Sequence, residues 1–231
     1  MKILAIDTSS QVCSVSIVEN ERVLIELKNT DEKTHSQKLM PLVDEAFART
    51  GLSLDHMDLL ACCVGPGSFT GIRIGIATVK AFADTKKIPT IGVTSLEGMA
   101  YNILAENVCV LLDAKHENVY LGLYQLQPDD SYGCVLEKAV TIEEAITELK
   151  QRKMEPVTLL GDGVTTYLDK IVQNFESCRM VADELNEASS VSIAKSAYTR
   201  YKKGQNTGTS KDLIPVYLKK SQAERALEGE K

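Results

Sequence analysis

The feature that most constrains the fold of this chain is an internal repeat. The stretch "ILAIDTSSQVCSVSIV", from Ile3, aligns with the later stretch "CVLLDAKHENVYLGLY", so that Asp7 falls on Asp113. In each copy an apolar strand ends in Asp, a polar turn follows, and a second strand alternates apolar and polar residues. The repeat predicts an α/β protein of two related domains, residues 1–106 and 107–231, although any two hairpins can look alike.

Composition narrows the function classes. The 231 residues are 44% hydrophobic and 25% charged, which is enough apolar sequence for a buried core, and the formal net charge is -6. Basic pairs are scattered and offset by acids, whereas a protein that binds nucleic acid alone concentrates its cations in a patch. We therefore expect contact with RNA, if any, to be indirect and to depend on another chain.

The start of the chain and its cysteines indicate a compartment. A strand pattern follows Met1 directly, and neither a secretory signal nor an apolar run of membrane-spanning length is visible. Several of the six cysteines lie in apolar strand patterns, where a reduced cysteine packs as a small hydrophobe. These features predict a cytoplasmic protein without a membrane segment.

Helical periodicity predicts two helices in the first domain. The first covers residues 34–49 and ends before Gly51, with Pro41 implying either a late start or a kink. The second covers residues 68–83, with Ser68 as its N-cap. In the second domain the same pattern predicts three more helices, over residues 141–152, 165–174 and 189–201.

Two stretches have the residue types of a phosphate site. Asp7, Thr8 and Ser9 follow a strand, where an actin-like ATPase places its first phosphate loop, but the same residues commonly satisfy a plain turn. "GPGSFTG", with Gly65 and Gly67, matches neither of the standard glycine-rich phosphate motifs. Taken alone, both stretches are more typical of tight turns and close packing than of a phosphate-binding site.

Catalytic and metal-binding patterns are weak. His35, His56 and His116 are not spaced as a ligand pair, and no C-x-x-C motif is present. Cys62 and Cys63 are adjacent on a strand and point to opposite faces. We predict no metal site and no catalytic residue.

An ordered set of motifs resembles a known family. "MKILAIDTSS", "THSQKLMPLVDEAF", "GPGSFTGIRIG", "TSLEGMA", "LLDAKHENVY" and "PVYLKK" occur in the order and spacing of the bacterial TsaB/YeaZ family, over Met1 to about Lys220. That family belongs to the actin/sugar-kinase/Hsp70-like (ASKHA) superfamily. The resemblance implies a partner of the catalytic subunit TsaD and of the ATPase TsaE, which together attach threonylcarbamoyl to an adenosine beside the tRNA anticodon.

One departure from TsaD bears on catalysis. TsaD has an H-x-E-G-H stretch whose histidines bind its metal, whereas this chain has "SLEGM", with Ser95 and Met99 at those positions. Neither side chain suits such an ion. The resemblance therefore implies a scaffold and activating subunit with no activity alone and a vestigial or weak nucleotide loop at Asp7, Thr8, Ser9, Gly65 and Gly67. It implies no cofactor bound by this chain alone, with ATP or ADP at the interface of the complex.

The family pairs through the two helices of the first domain, which implies partner contacts here and a homodimer when TsaD is absent. The matching positions are His35, Leu39, Leu42, Val43, Phe69, Gly71, Ile72, Arg73, Gly75, Ile76 and Val79. The alternative is that these apolar stripes only cover the chain's own sheet. If they face a partner, Ile72→Arg should leave the fold intact and weaken pairing.

Two other functions remain open on the sequence. The chain could be a stand-alone ATP-dependent kinase or a peptidase of the same superfamily, and tight ATP binding by the isolated chain would favour the kinase. It could instead be a homodimeric interaction module that has no effect on tRNA modification.

Overall fold

The structure is a computed structural model that describes residues 1–31, 34–154, 156–175, 178–205 and 207–219. Its strands are β1 Lys2–Asp7, β2 Cys13–Glu19, β3 Arg22–Asn29, β4 Leu59–Cys63, β5 Thr90–Val93, β6 Asn107–Asp113, β7 Asn118–Leu126, β8 Tyr132–Thr141, β9 Val157–Leu160 and β10 Cys178–Met180. Its α-helices are α1 His35–Thr50, α2 Phe69–Lys86, α3 Ser95–Ala100, α4 Ile142–Arg152, α5 Asp162–Thr166, α6 Leu168–Val172 and α7 Ser190–Lys202.

The strands form two sheets with the same topology. The first has the order β3-β2-β1-β4-β5 and the second β8-β7-β6-β9-β10. In each sheet the opening hairpin is antiparallel, and the two later strands add in parallel beside the first strand of that hairpin. The predicted α/β repeat is confirmed, because a chance likeness of two hairpins would not extend to the order of all five strands in both sheets.

The first sheet is covered on both faces. Helices α1 and α2 pack over one face, and helix α7 packs over the other. Cys62 lies in the first of these clusters and Cys63 in the second, as their adjacent positions predict. Helix α7 falls within residues 107–231, yet Ile193 and Ala197 lie against the first sheet. The chain therefore returns to the first unit after completing the second, so the boundary near residue 106 does not separate all contacts.

Capping residues mark the ends of several helices. Thr34 and Gln37 form a capping box at the start of α1, and Gly51 ends that helix in the left-handed conformation. Because α1 begins at His35 and continues through Pro41, the late start is wrong. Thr141 and Glu144 form a second capping box, at the start of α4.

The expectation of one helix over residues 165–174 is wrong. Two short helices, α5 and α6, meet at Tyr167, whose φ of -115° is outside the helical region. No helix in the described part of the chain has the length and apolarity that crossing a bilayer requires. The tail from residue 220 onward lies outside the described residues.

Candidate functional site

The turn between β1 and β2 covers residues 8–12. Its first two residues, with Asp7, are the position of the predicted phosphate loop, and this part of the turn is closed. Asp7, Thr8 and Ser9 are 3%, 1% and 5% exposed. The backbone N–H and the hydroxyl of Ser9 both donate to Oδ1 of Asp7, at 2.8 and 2.7 Å. Asp7 therefore accepts the hydrogen bonds of its own turn, as expected if these residues form a plain turn and not a phosphate site.

The segment 65–68, which we call the glycine loop, covers this closed turn. The Ser68 N–H donates to the Ser9 carbonyl at 2.7 Å, and the Thr8 hydroxyl donates to the Gly71 carbonyl at 2.8 Å. A Cβ on Gly67 would lie 2.2 Å from the Ser9 oxygen, and one on Gly71 would lie 2.0 Å from the Thr8 oxygen. Only glycine permits this approach, so the predicted packing role of the glycines is confirmed.

Burial changes the electrostatics of Asp7. Removal from water raises the pKa of its carboxyl, while the two Ser9 donors and the Cys63 thiol pull that pKa back in part. The His35 ring lies nearby, with Nε2 at 2.8 Å from the Ser10 carbonyl. The closed turn thus has a buried carboxyl with a raised pKa that accepts hydrogen bonds from its own turn.

The corresponding turn between β6 and β7, residues 114–117, is open. Lys115, His116 and Glu117 are exposed, and all three have positive φ angles, of 62°, 56° and 59°. Such a conformation costs roughly 1–2 kcal/mol per non-glycine residue. The Asn118 side-chain amide holds it by donating to the carbonyls of Lys115 and His116, at 3.2 and 2.7 Å.

Asp113 has the opposite electrostatics to Asp7. Its partial burial raises the pKa, but hydrogen bonds from the Lys115 ammonium and N–H and the charge of Lys115 outweigh burial, and the net shift is downward. The Lys115 Nζ lies 2.7 Å from Oδ2 of Asp113. The Asp113 N–H donates to Oδ1 of Asp162 at 2.8 Å. This carboxylate is ionised and ion-paired beside solvent.

An extended segment, residues 213–219, which we call the strap, joins the two turns. The Val216 N–H donates to the Val64 carbonyl at 2.8 Å, beside the glycine loop. Further on, the Lys219 ammonium donates to the Ala114 carbonyl at 3.0 Å, in the open turn. The strap therefore runs from the neighbourhood of the glycine loop in the first unit to the open turn in the second.

Two predicted interface residues contact the strap. The rings of Phe69 and Tyr217 stack with centroids 4.6 Å apart, and Nε of Arg73 donates to the Tyr217 hydroxyl at 2.7 Å. Arg73 is exposed. The sequence did not predict this role, because the strap contacts α2 across a separation of more than a hundred residues.

The remaining predicted interface residues are mostly buried in the chain's own core. Leu39, Leu42, Val43, Ile72, Ile76 and Val79 are at most 7% exposed, and Gly71 and Gly75 face Thr8. For these residues the alternative holds, and they cover the chain's own sheet. The expectation that Ile72→Arg leaves the fold intact is therefore wrong, because the side chain is fully buried and an unpaired charge there would unfold the first unit. His35 is half-buried.

Ser95 and Met99, which replace the two histidines of the H-x-E-G-H stretch, stabilise the fold. The Ser95 hydroxyl donates to the Pro66 carbonyl at 2.5 Å, and Met99 packs in an apolar cluster with Leu96 and Tyr124. Within the described ranges no group of three or more His, Cys, Asp or Glu is arranged to hold a metal ion. Helix α3 therefore serves as a packing element between α7 and the second sheet.

Sequence reasoning missed the solvent-facing sides of α1 and α2. Met40 is 41% exposed on α1, and Ala77 and Ala81 are exposed on α2. Reading the positions between the buried stripes would have found them, since they recur at helical spacing on the opposite face.

Comparison with known proteins places this architecture in a class. A model of the family described as "TsaD: tRNA N6-adenosine threonylcarbamoyltransferase" matches residues 26–227. A ROK hexokinase from Thermus thermophilus superposes with a TM-score of 0.53 at 12% identity, over 88% of this chain and 100% of the other. Together with the repeated topology, these likenesses define an ASKHA-type fold of two related α/β units.

Two relatives make the assignment specific. The Escherichia coli tRNA threonylcarbamoyladenosine biosynthesis protein TsaB is 32% identical over 173 residues, which is 73% of this chain and 74% of the relative. The structure of YeaZ from Pseudomonas aeruginosa superposes with a TM-score of 0.81 at 26% identity, over 94% of this chain and 99% of the other. The chain belongs to the TsaB/YeaZ family.

Proposed function

We propose that this chain is a non-catalytic, activating scaffold in the synthesis of tRNA threonylcarbamoyladenosine. It pairs with a TsaD-type catalytic subunit and a TsaE-type ATPase, and it contacts tRNA only through that complex. The observation that carries the proposal is the closure of the β1–β2 turn, whose Asp7, Thr8 and Ser9 are buried and hydrogen-bonded within their own chain. A phosphate-handling enzyme of this fold needs those groups open to its substrate.

Helix α3 supports the same proposal. A metal-dependent transferase would need ligands at the positions of Ser95 and Met99, and here one side chain is hydrogen-bonded to Pro66 and the other is packed in the core. Serine and methionine are also poor ligands for a hard or borderline divalent ion. The chemistry is therefore supplied by the partner, and this chain supplies a surface.

That surface is the outward side of α1 and α2. The inward side is committed to the first sheet, whereas Met40, Ala77 and Ala81 are exposed and small or flexible. Small side chains let a second helix pair approach closely, and a methionine adapts to the surface it meets. The same surface forms a homodimer when the catalytic partner is absent.

The test of function is reconstituted tRNA modification. TsaD, TsaE, tRNA, ATP and threonylcarbamoyl-adenylate are combined with and without this chain, and threonylcarbamoyladenosine is measured. We expect product only when the chain is present. Equal product without it would contradict the activating role, and the homodimeric module would then be the better description.

The test of the surface is Ala77→Arg. This variant places a long, charged side chain on the outward face of α2 without entering the core, so melting should be unchanged while complex formation with TsaD on size exclusion is lost. Gln151→Arg is the matched control, because it makes the same side chain at an exposed position of α4 in the second unit. If both variants pair like the wild type, the outward face of α2 is not the interface.

Nucleotide binding separates the scaffold from the kinase. We propose that the isolated chain binds no ATP and that ATP or ADP is held at the interface of the assembled complex. Isothermal titration of the chain alone should therefore show no ATP binding, while the assembled complex does. Tight binding by the isolated chain would favour the stand-alone kinase.

A further inference from the structure

A cavity between the two units is not used by the proposed function. Its volume is about 750 Å³, and it is lined by Thr94 at the end of β5, Glu97 on α3, Tyr124 on β7, Glu137 on β8 and Arg200 on α7. Small-molecule sites have volumes of roughly 300–1,000 Å³ and a few convergent polar groups. The cavity has the size and the mixed lining of such a site.

Two hydrogen bonds hold the Glu137 carboxylate in place in the cavity wall. Its Oε1 accepts from the Thr94 hydroxyl at 2.6 Å and from the hydroxyl of Tyr124, whose side chain is fully buried. Thr94 belongs to the first unit and Tyr124 to the second, so the carboxylate is held at their junction. In the described part of the chain no donor contacts its Oε2, which is therefore available to a ligand.

A positive charge in the same lining, on Arg200, is already paired with Glu97. Nη1 of Arg200 lies 3.3 Å from Oε2 of Glu97, and the Ser196 hydroxyl donates to Oε1 of Glu97 at 2.6 Å. Burial raises the pKa of Glu97, Arg200 lowers it, and the charge of Glu137 raises it again. Glu97 and Arg200 thus neutralise each other and leave Glu137 uncompensated.

The other charges of the lining are also accounted for. Lys203 contacts Oδ2 of Asp129 at 2.8 Å and the Ser131 hydroxyl at 2.6 Å. Asp212 accepts from the N–H of Thr209 at 2.7 Å. Across the described ranges, no cation forms an ion pair with Glu137 within 4 Å. A half-buried carboxylate of this kind is stabilised by a cationic group that enters the cavity.

Two aromatic rings share the cavity lining with Glu137. Tyr101 and Tyr132 line the cavity and pack edge to face, with centroids 5.3 Å apart. The Tyr132 hydroxyl donates to the Ile103 carbonyl at 3.2 Å, and the Tyr101 hydroxyl accepts from the Tyr132 N–H at 3.3 Å. Tyrosine rings attract cations through their π faces and aliphatic groups through contact.

We infer that this cavity binds a small organic cation, a primary ammonium whose N–H groups donate to Oε2 of Glu137 while its aliphatic part lies against the rings of Tyr101 and Tyr132. A divalent metal is a poor occupant, because the described residues supply no cluster of three acidic, histidine or cysteine ligands. The ligand class is set by one free carboxylate oxygen, an aromatic wall and a volume larger than an inorganic ion requires.

The first test uses the full chain and n-propylammonium chloride. Calorimetric titration and thermal melting are measured with n-propylammonium, with n-propanol and with sodium chloride at equal ionic strength. We expect saturable binding and a rise in melting temperature with n-propylammonium alone. Equal effects of the alcohol or of sodium chloride would overturn the inference, and this comparison needs no variant.

The second test is Glu137→Gln. The amide oxygen still accepts from Thr94 and Tyr124, so the junction is retained while the charge is removed. We expect the affinity for n-propylammonium to fall at least ten-fold. Glu106→Gln is the matched control, because it removes the same charge from an exposed position outside the lining and should bind like the wild type. Unchanged affinity in Glu137→Gln would also overturn the inference.

Discussion

The two hairpin turns occupy the same position in two units of the same topology, and they have opposite surroundings. The turn after Asp7 is buried beneath the glycine loop, whereas the turn after Asp113 is exposed and left-handed. Both aspartates end the first strand of their sheet. A repeated topology therefore fixes where a turn lies but not whether that turn is open to a ligand.

The two turns differ in exposure because the glycines of each unit contact the backbone at different places along the first strand and its turn. In the first unit, Cβ atoms on Gly67 and Gly71 would meet the carbonyls of Ser9 and Thr8, which lie beyond Asp7. In the second unit, a Cβ on Gly161 would lie 2.2 Å from the carbonyl of Leu111, which lies before Asp113. Contact earlier along the strand leaves the second turn uncovered.

The largest expected effect comes from adding a Cβ beneath the closed turn. Gly71→Ala places a methyl group 2.0 Å from the Thr8 backbone oxygen, so the turn or α2 must move. Overpacking of this severity costs about 3 kcal/mol of unfolding free energy. Chemical denaturation measures the loss, and we expect the midpoint to fall without a change of slope.

Gly163→Ala is the matched variant in the second unit. Gly163 lies in α5, and its added Cβ would be 2.8 Å from the Leu111 oxygen, a milder overlap than at Gly71. We expect a cost of about 1 kcal/mol. If Gly163→Ala costs as much as Gly71→Ala, the closed turn is not packed more tightly than its counterpart.

The next effect is a gain in stability at the open turn. His116 has a φ of 56°, and His116→Gly removes left-handed strain while adding flexibility to the unfolded chain. The two terms partly cancel, and we expect about 0.5–1 kcal/mol of stabilisation. Ala114→Gly is the control, because Ala114 has no positive φ and should lose a similar amount. Destabilisation by His116→Gly would mean that its side chain stabilises the turn.

Sequence patterns predicted the fold at the level of elements. The repeat, the Ser68 cap and the close packing of the glycine-rich stretch follow from local chemistry, and each is present. Patterns did not predict that α7 returns to the first sheet or that the strap contacts Phe69. Both depend on contacts between distant segments, which have no signature in a local window.

For the site, the sequence identified the types of residue involved, but it did not show which of them are buried and which are exposed. An apolar stripe on α2 has the same sequence pattern whether it covers its own sheet or a partner, so Ile72 and Val79 could not be assigned without the structure. The Glu137 cavity was invisible for a related reason. Its lining comes from both units, and none of those residues forms a motif.

The smallest expected effect is a difference in pH dependence between the two aspartates. Because burial raises the pKa of Asp7 in the folded state, its protonated form is favoured by folding, and stability falls as pH rises from the usual aspartate pKa through the raised value. Asp7→Asn keeps an Oδ1 acceptor for Ser9 and removes the charge. The variant should gain stability relative to the wild type as pH rises through that window.

Asp113→Asn should behave in the opposite sense. The pKa of Asp113 is lowered in the folded state, mainly because Lys115 outweighs partial burial, so its contribution is present above the usual aspartate pKa and is lost as pH falls through the lowered value. The variant should therefore be less stable than the wild type at neutral pH and equal to it in acid. The loss is small because Lys115 is largely exposed. The comparison is made by measuring the denaturation midpoints of both variants between pH 3 and pH 7. Parallel curves would contradict the expectation, because they would show that the two turns shift the pKa values of their aspartates in the same way despite their different exposure.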